Sequence, residues 1–285
     1  MAFDIERYKL TSKRLDLTDV DWDEVRRHHL PAGAIESMLY MMDIETHTVI
    51  FLSELLVSKA CMDPVITSFL SVWGYEEMYH GDAFAKFLRA YGVRVEEDRP
   101  RQIRLQEGLH RATSVMTVLF GSYLLPFFPA IYLTIGATNE MTTLTGYQQL
   151  IRRANHPVLT QIVERIIKQE RVHFAFYRSQ AERLLEESEI ARRAVRWVMT
   201  RRFRAVGEGV KSAEDVDNLA MFLFSGADGR EATRTIDQSI GRLPGLQGVN
   251  LLERLLDRAE GRFGVTGASD DTGYVDLPQL AISAG

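Results

Sequence analysis

The sequence predicts an all-α protein organised around four long helices. Long segments show the helical spacing of apolar residues without an interior proline, and no segment alternates apolar and polar residues as strands do. In addition, a Glu-x-x-His pair lies on each of two long predicted helices, and residues three apart on a helix share one face. These features indicate a helical bundle that directs polar side chains into its core.

The first half of the chain divides clearly into elements. An irregular, charged start extends to about residue 30, and a first long helix follows at about residues 34–60. Asp63 and Pro64 form an N-cap and first-turn pair for a second long helix. That helix runs to about Tyr91, where the next residue, a glycine, ends it.

The second half continues the helical pattern. After a charged connection, a helix begins at about Gln102, and another long helix begins at about Pro129 and ends near residue 153. His156 and Pro157 start the last long helix, which extends to about residue 188. Shorter helices fill the chain to about residue 262.

Length and composition predict one domain. A chain of 285 residues with 46% hydrophobic residues can bury one large core. We expect a single helical domain over residues 1–262, with its core at about 33–190. Residues 263–285 are rich in Gly, Ser and Asp and are predicted to be a flexible tail.

Charge and cysteine content exclude several classes of protein. The net charge of -5 argues against general nucleic-acid binding, which needs a basic surface. The single cysteine, Cys61, allows neither an internal disulfide nor a thiolate metal cage. The amino end has no apolar signal-peptide core, so we expect a cytoplasmic protein.

One charge-free stretch is long enough to cross a bilayer. No charged residue occurs from Ala112 to Asn139. Gly121, Pro126 and Pro129 divide this stretch into two parts, and polar residues interrupt it. We therefore expect buried core helices here and no membrane span.

The pattern that carries chemistry is the repeated Glu-x-x-His pair. Glu77 and His80 form one pair on the second long helix, and Glu170 and His173 form another on the last. A lone glutamate lies one helix earlier in each case, Glu45 before the first pair and Glu140 before the second. Two glutamates and two such pairs are the ligand set of a carboxylate site for two metal ions in a bundle core.

The spacing of these residues brings them to one level of the bundle. Each lone glutamate precedes its interhelix turn by about as many residues as the Glu-x-x-His pair follows the turn. Since helices rise about 1.5 Å per residue, antiparallel helices align all six side chains. Glu54, the rival on the first helix, lies too close to the turn, so Glu45 is the predicted ligand.

Two adjacent glutamates compete for the metal in the second helix. At about 100° per residue, Glu77 and His80 fall in the apolar, core-facing stripe, whereas Glu76 lies at its edge or outside it. The second motif agrees, because Gln169 precedes Glu170 and offers no rival carboxylate. Glu77 is therefore the predicted ligand, and Glu76 is expected to support a ligand or to face solvent.

Other conspicuous residues have ordinary interpretations. His47 is two residues from Glu45 and is predicted to point to the opposite face, while Met38 and Met41 are predicted to be core residues. Gly136, one turn before Glu140, either opens space for a substrate or permits close helix packing. The remaining histidines are predicted to be surface or capping residues: His28, His29, His110 and His156.

The composition of the predicted site indicates redox chemistry. Carboxylate-rich ligation with two imidazoles suits iron or manganese better than zinc, which prefers closed tetrahedral N and S sites. Two reduced irons can bind and split dioxygen. The site therefore favours oxidation over hydrolysis.

The sequence segments around these residues resemble those of a known protein family. The ligand pattern resembles that of ferritin-like diiron carboxylate proteins, and "EEMYHGD", "NEMTTLTG" and "KQERVHFAFY" are similar to motifs of the soluble acyl carrier protein desaturases. The carboxyl-terminal segment "SIGRLPGLQGVNLLERLLDRAEGR" is similar to their last helix. The resemblance covers about residues 33–262.

This resemblance implies a fold and an activity. It implies a ferritin-like bundle in a homodimeric enzyme that takes two electrons from a ferredoxin and uses dioxygen to desaturate an acyl chain on acyl carrier protein. Glu77 and Glu170 would bridge two iron ions, with Glu45 and Glu140 as terminal carboxylates. Thr143, three residues after Glu140, would assist proton delivery to bound oxygen.

The chain departs from the family at particular positions. Gln169 stands where those desaturases commonly carry an aspartate, and Phe84 stands where ribonucleotide reductase small subunits carry a radical tyrosine. Two alternatives therefore stay open. One is a diiron oxygenase for another small molecule, such as an amine or amino acid, and the other is a non-enzymatic ferritin-like metal-binding protein.

One basic segment is a candidate docking surface. The segment carries six arginines with no acidic residue before Glu208, although the chain is acidic overall. Such a patch could attract an acidic acyl carrier protein or ferredoxin, and a solvated helix face is the alternative. Its members are Arg192, Arg193, Arg196, Arg201, Arg202 and Arg204.

Overall fold

The predicted all-α class is confirmed. The computed structural model describes residues 3–106 and 108–264, apart from the side chains of 106–113, and this part of the chain contains eleven α-helices and no β-strand. Short 3-10 helices occur at Val25–Arg27 and Lys59–Met62. In chain order the α-helices are α1 (Ile5–Thr11), α2 (Ala32–Leu56), α3 (Pro64–Tyr91), α4 (Arg99–Gln106), α5 (Gly108–Leu124), α6 (Phe128–Ala154), α7 (Pro157–Glu187), α8 (Glu189–Arg202), α9 (Ala213–Phe224), α10 (Gly226–Gly241) and α11 (Leu251–Phe263).

The boundaries of α3 follow from local capping, as predicted. The side chain of Asp63 accepts hydrogen bonds from the backbone N–H groups of Val65 at 2.9 Å and Ile66 at 3.4 Å. Pro64 occupies the first turn, where its missing N–H costs nothing. Gly92 ends the helix with a left-handed φ of 106°, which a residue with a side chain rarely adopts.

The turn between α6 and α7 is also set locally. Asn155 takes a left-handed φ of 45° and ends α6. His156 then caps α7, because its Nδ1 accepts from the backbone N–H of Leu159 at 3.2 Å and its Nε2 lies 3.0 Å from the carbonyl of Val25. The predicted capping role of His156 is confirmed, and the side chain of His110 lies outside the described part.

The amino-terminal prediction is wrong. Residues 5–11, expected to be irregular, form α1, whose first turn is capped by Asp4. Tyr8, on this short helix, is buried. Its ring stacks on the ring of Phe69, and the two ring centroids are 5.3 Å apart. Burial of an aromatic ring fixes a helix that is too short to be stable alone.

The charge-free segment forms two helices, and the break between them lies at Pro126, as predicted. Helix α5 ends at Leu124 and α6 begins at Phe128. The segment expected to begin at about Gln102 is occupied by two helices, α4 and α5, in place of one. None of the described helices is both long and apolar enough to cross a bilayer.

The predicted flexible tail falls almost entirely on residues 265–285, which lie outside the described residues.

Four helices form the core that holds the site. Helix α2 packs along α3, and α6 packs along α7. Contacts of α3 with α7 and of α2 with α6 join these two pairs into a four-helix bundle. Towards one end of the bundle the interior is apolar, and the rings of Phe69 and Phe176 stack there with their centroids 3.6 Å apart. Met38 and Met41 are buried core residues, as predicted.

Two glycines beside the candidate ligands allow close approaches between helices. A Cβ at Gly81 of α3 would lie 2.6 Å from Cγ2 of Thr46 and 3.4 Å from Cβ of Glu45, both on α2. A Cβ at Gly136 of α6 would lie 2.4 Å from the ring of Tyr177 on α7. Close packing accounts for Gly81 and for one side of Gly136, which also lines the cavity beside the candidate ligands. Each glycine lies within one turn of a candidate ligand.

Candidate metal centre

The structure brings all six predicted ligand residues together. They form two groups, within each of which one ligand atom per residue lies within 4.8 Å of the others, and every member is buried. Glu77 and Glu170 belong to both groups, whereas Glu54 belongs to neither. The groups are Glu45, Glu77, His80 and Glu170, and Glu77, Glu140, Glu170 and His173.

Each histidine turns the same ring nitrogen to the carboxylates. Nδ1 of His80 lies 3.1 Å from Oε1 of Glu170 and 3.8 Å from Oε2 of Glu45. Nδ1 of His173 lies 3.0 Å from Oε1 of Glu77 and 3.3 Å from Oε2 of Glu170. The two rings sit 5.9 Å apart, one beside each group.

Three atoms of this cluster are buried without a hydrogen bond. They are Oε1 of Glu77, Nδ1 of His80 and Oε1 of Glu170. Two of them, on His80 and Glu170, are 3.1 Å apart and still do not satisfy each other. A buried polar atom without a partner costs about 1–3 kcal/mol. Nδ1 of His173 does contact Oε2 of Glu170 at 3.3 Å, but the three unsatisfied atoms converge as the ligands of a metal ion do. These buried Glu/His groups could therefore hold metal.

The outward nitrogens of both histidines are fixed by other side chains. Nε2 of His173 lies 2.8 Å from Oε2 of Glu76, and Nε2 of His80 lies 2.9 Å from Oε1 of Gln169. Gln169 also donates from its own Nε2 to Oε1 of Glu76 at 2.9 Å. When each ring is neutral and donates from Nε2, Nδ1 carries the lone pair that binds a metal. Without metal, Nδ1 of His173 instead contacts Oε2 of Glu170 at 3.3 Å.

Glu76 therefore supports a histidine and does not face solvent. It is 2% exposed, and its carboxylate meets His173, which α7 brings to the edge of the α3 stripe. Burial raises its pKa, but hydrogen bonds from His173, Ser12 and Tyr8 and the charge of His173 outweigh burial. The pKa of Glu76 thus lies below its ordinary value. The carboxylate stays ionised and can hold the histidine.

The amino-terminal segment completes this outer layer. The hydroxyl of Tyr8 donates to Oε2 of Glu76 at 2.7 Å, and the hydroxyl of Ser12 donates to Oε1. Nε2 of Gln169 also donates to the carbonyl of Lys13 at 2.8 Å. Helix α1 and the turn after it therefore cover the cluster on the side of Glu76 of α3 and Gln169 of α7.

Two aromatic side chains bond to the terminal carboxylates. The hydroxyl of Tyr147 donates to Oε1 of Glu45, and Nε1 of Trp73 donates to Oε1 of Glu140 at 3.1 Å. Tyr147 lies two turns after Glu140 on the same face of α6, so the helical spacing could have identified it. Tyr8 and Ser12 carried no such signal, since they reach Glu76 across more than sixty residues of sequence.

The carboxylates repel one another in the absence of metal. Burial, followed by the charges of Glu45 and Glu170, raises the pKa of Glu77 well above its ordinary value. Burial, followed by the charges of Glu170 and Glu77, does the same to the pKa of Glu140. A buried cluster of acids keeps some protons unless a cation neutralises it.

The histidines respond in the opposite way to the same charges. Burial lowers the pKa of His80, but close polar contacts with Glu170 and Glu45 outweigh it and raise that pKa well above the ordinary value. Contacts with Glu170, Glu76 and Glu77 likewise outweigh burial at His173. The metal-free cluster thus holds protons on both imidazoles.

Metal loading is expected to release protons and to strengthen as pH rises. Glu77, Glu140, His80 and His173 all have raised pKa values, so they keep their protons to a higher pH than such groups ordinarily do and must lose them to bind metal. Calorimetric titration with Zn²⁺ in two buffers of different ionisation enthalpy would measure the protons released. A metal affinity that stays constant between about pH 6 and about pH 8 would contradict this prediction.

A cavity of about 370 Å³ opens beside the cluster. The four core helices form its inner wall, including the carboxylates of Glu45, Glu77, Glu140 and Glu170. The last residue of α8 and the segment that follows it, residues 202–208 together with Val210, form the outer wall. A volume of this size lies at the lower end of the range for small-molecule pockets.

His47 is placed differently from the prediction. It was expected to point away from Glu45, but it lines the same cavity. Ile44, Thr48 and Phe51 also line it, so the cavity covers a wide arc of α2 and takes in faces on both sides of Glu45. His47 belongs to neither group of candidate ligands.

The wall beside Glu140 offers hydrogen-bonding groups that the described residues do not use. Thr143 and Asn139 line the cavity and make no side-chain hydrogen bond within the described part of the chain. The hydroxyl of Tyr177 is buried without a partner at the same wall. By contrast, the hydroxyls of four other threonines of α6 donate to the carbonyl four residues earlier: Thr134, Thr138, Thr142 and Thr145.

Comparisons with protein-family models, with curated proteins and with solved structures find no match to this chain. The resemblance to ferritin-like diiron proteins and to acyl carrier protein desaturases therefore stays a prediction from the sequence motifs. The cluster and its cavity are described by their own geometry.

Proposed function

We propose that this protein is a ferritin-like diiron oxidoreductase that uses dioxygen to oxidise a small molecule held in the cavity beside the cluster. The observation that carries the proposal is the pair of overlapping ligand groups that share Glu77 and Glu170. Two sites with two shared carboxylates suit two like cations side by side. A single-metal site would not need both groups.

The residues divide into clear roles under this proposal. Glu45 and His80 would hold one iron ion, Glu140 and His173 the other, and Glu77 and Glu170 would bridge them. Two reduced iron ions bound there would supply the electrons and the Lewis acidity needed to activate dioxygen. Manganese satisfies the same donors.

The surrounding side chains hold the ligands ready for metal. Glu76 and Gln169 keep both imidazoles in the tautomer that leaves Nδ1 free. Tyr147 and Trp73 orient the terminal carboxylates, which limits the ways in which each can turn. Thr143 lines the cavity together with Glu140 and would pass a proton between that wall and a bound reactant.

The cavity favours a small polar substrate. An alkyl chain would leave the side chains of Asn139, Thr143 and Tyr177 without partners, at about 1–3 kcal/mol for each group that is fully buried. A substrate with a hydroxyl, amine or carbonyl group near its reacting carbon can bond to them instead. This supports the alternative of a biosynthetic oxygenase for an amine, an amino acid or a similar molecule.

Desaturation of an acyl chain on acyl carrier protein is the second candidate. Two observations favour it: much of the cavity wall is apolar, including Ile44, Phe51 and Ile135, and arginines lie at the outer wall. Under this reading the enzyme would be a cytoplasmic homodimer. A ferredoxin would supply two electrons. With two protons from solvent and one dioxygen, the reaction would remove two hydrogens from the chain and yield a double bond and two waters.

Oxygen uptake with product analysis tests the proposal. Protein loaded anaerobically with two Fe²⁺ is expected to consume dioxygen and, with a ferredoxin reducing system, to modify one member of a panel of amino acids, amines and acyl carriers. Mass spectrometry identifies the product, and Glu77→Ala serves as the inactive control. A protein that binds many more than two iron ions and modifies no substrate would instead be a metal store.

A further inference from the structure

The cavity has a basic outer wall. Arg202, the last residue of α8, and Arg204 both line the cavity opposite the carboxylate cluster, and both are exposed to solvent. The guanidinium of Arg202 lies 5.9 Å from the centroid of the Trp197 ring, an exposed aromatic surface. Two cations thus stand at the open side of a cavity in a chain with a net charge of -5.

Neither arginine is paired with an acid within the described residues. The acid nearest in sequence on this wall, Glu208, accepts from the backbone N–H of Ala205 at 3.1 Å and lies 3.7 Å from a guanidinium nitrogen of Arg258. Arg202 and Arg204 have no such contact with a carboxylate of the described chain. Their charges are available to a bound molecule.

Other arginines of the basic segment are used by the fold. Arg192 donates to the carbonyl of Leu185 at 2.8 Å, and Arg196 donates to the carbonyls of Gly245 and Gln247, both at 3.0 Å. Arg193 pairs with Glu189 one turn earlier on the helix surface, at 2.6 Å. The predicted docking patch is therefore divided, and its carboxyl-terminal part turns towards the cavity.

The charge of the loaded cavity follows from its contents. Four ionised carboxylates carry four negative charges, and two divalent cations would carry four positive charges, so a loaded cluster is close to neutral. The arginines are then the dominant charge that a molecule meets in the cavity. Guanidinium groups in a partly enclosed wall bind carboxylate or phosphate oxygens in preference to neutral groups.

We propose that the substrate of this cavity is a small organic anion, held by Arg202 and Arg204 at its carboxylate or phosphate group, with its reacting end at Glu140 and Thr143. The proposal rests on the function proposed above, since it takes the cluster as the reacting centre. It assigns the two arginines to substrate recognition, and Asn139 and Tyr177 to a second polar group of the substrate. Both contacts together fix which end of the molecule faces the cluster.

The proposal is tested by binding of charged and neutral probes to protein loaded with Zn²⁺, which cannot turn over. We expect hexanoate or hexyl phosphate to bind at least about tenfold more tightly than hexanamide. The tighter of the two acids separates a carboxylate from a phosphate substrate. Arg204→Gln and Arg202→Gln should each weaken binding of that acid about tenfold and leave hexanamide unchanged, as measured by calorimetry.

The control variants separate recognition by these arginines from other causes. Arg193→Gln removes the same charge from the same segment but does not line the cavity, so it should leave affinity unchanged. Arg204→Lys should retain part of the affinity. If the arginine variants bind hexanoate as the unaltered protein does, the anion binds the metal directly and the proposal is wrong.

Two further results would also overturn it: acids that bind no more tightly than hexanamide, and tight binding seen only with an acyl group on its carrier protein. Metal content is measured on the same samples. Failure to hold two metal ions would refute the diiron function itself, whereas loss of anion preference at full metal content would refute only this inference.

Discussion

Glu77→Ala is expected to reduce metal binding from two ions to one or none, whereas Glu76→Ala should keep two. Glu77 belongs to both ligand groups, so its loss removes a donor from each. Glu76 contacts only Nε2 of His173, the ring nitrogen that faces away from the other candidate ligands. Loss of such an outer partner typically weakens metal affinity by about 10-fold to 100-fold. Elemental analysis at saturating metal gives the stoichiometry, and a competitive titration gives the affinity.

The comparison of adjacent glutamates is its own control, because both variants remove the same side chain from the same turn of α3. Circular dichroism would show whether each variant keeps its helical fold. A Glu76→Ala protein that loses both ions while Glu77→Ala retains them would reverse the assignment of these two residues.

Gly81→Ala is expected to destabilise the protein by up to about 2 kcal/mol and to lower metal occupancy. Alanine favours a helix over glycine by about 1 kcal/mol, but a strained insertion into a packed core costs about 1–3 kcal/mol. The new methyl would meet Cγ2 of Thr46 at 2.6 Å and push α2, with Glu45, away from the cluster. Denaturant unfolding measures the stability, and elemental analysis measures the metal.

The chain offers both a rescue and a control for this variant. Thr46→Ser removes the methyl group that the new side chain would meet, so Gly81→Ala with Thr46→Ser should recover most of the lost stability and metal. Gly261→Ala places a methyl where no atom lies within 4 Å and should be neutral or stabilising. If the serine substitution rescues nothing, the contact with Thr46 is not the cause.

Local signals in the sequence predicted most helix boundaries in the bundle. Asp63, Gly92 and His156 act through hydrogen bonds and backbone angles within a few residues. In the structure, α3 begins after Asp63 and ends before Gly92, and α7 begins after His156, as predicted. Helix α1 was missed because seven residues show little periodicity, and its position depends on the burial of Tyr8 against distant helices.

The convergence of the candidate ligands was predictable for a similar reason. Helical rise and rotation place Glu45, Glu77 and Glu140 at one level and on inward faces, and these quantities depend only on residue spacing. The partners behind them depend on which helix arrives from elsewhere. Rotation placed Glu76 at the edge of its stripe, but the approach of His173 from α7 decided its role.

Surface and cavity features were the least predictable. A helical wheel separated His47 from Glu45, but it could not show that the cavity beside α2 is wide enough to include both. The six arginines looked alike in the sequence, whereas carbonyls of a distant loop engage Arg196 and leave Arg202 and Arg204 to the cavity. Such distinctions require the tertiary structure.

The two adjacent glutamates of α3 hold His173 between them. Oε1 of Glu77 lies 3.0 Å from Nδ1 of the ring, and Oε2 of Glu76 lies 2.8 Å from Nε2. Two adjacent residues of α3 thus contact the two ring nitrogens of a histidine on α7. A shift of α3 by a single residue would move one carboxylate into the place of the other and empty the second. These contacts can therefore form in only one alignment of α3 against α7. Metal occupancy would report whether the two helices have paired in that alignment during folding.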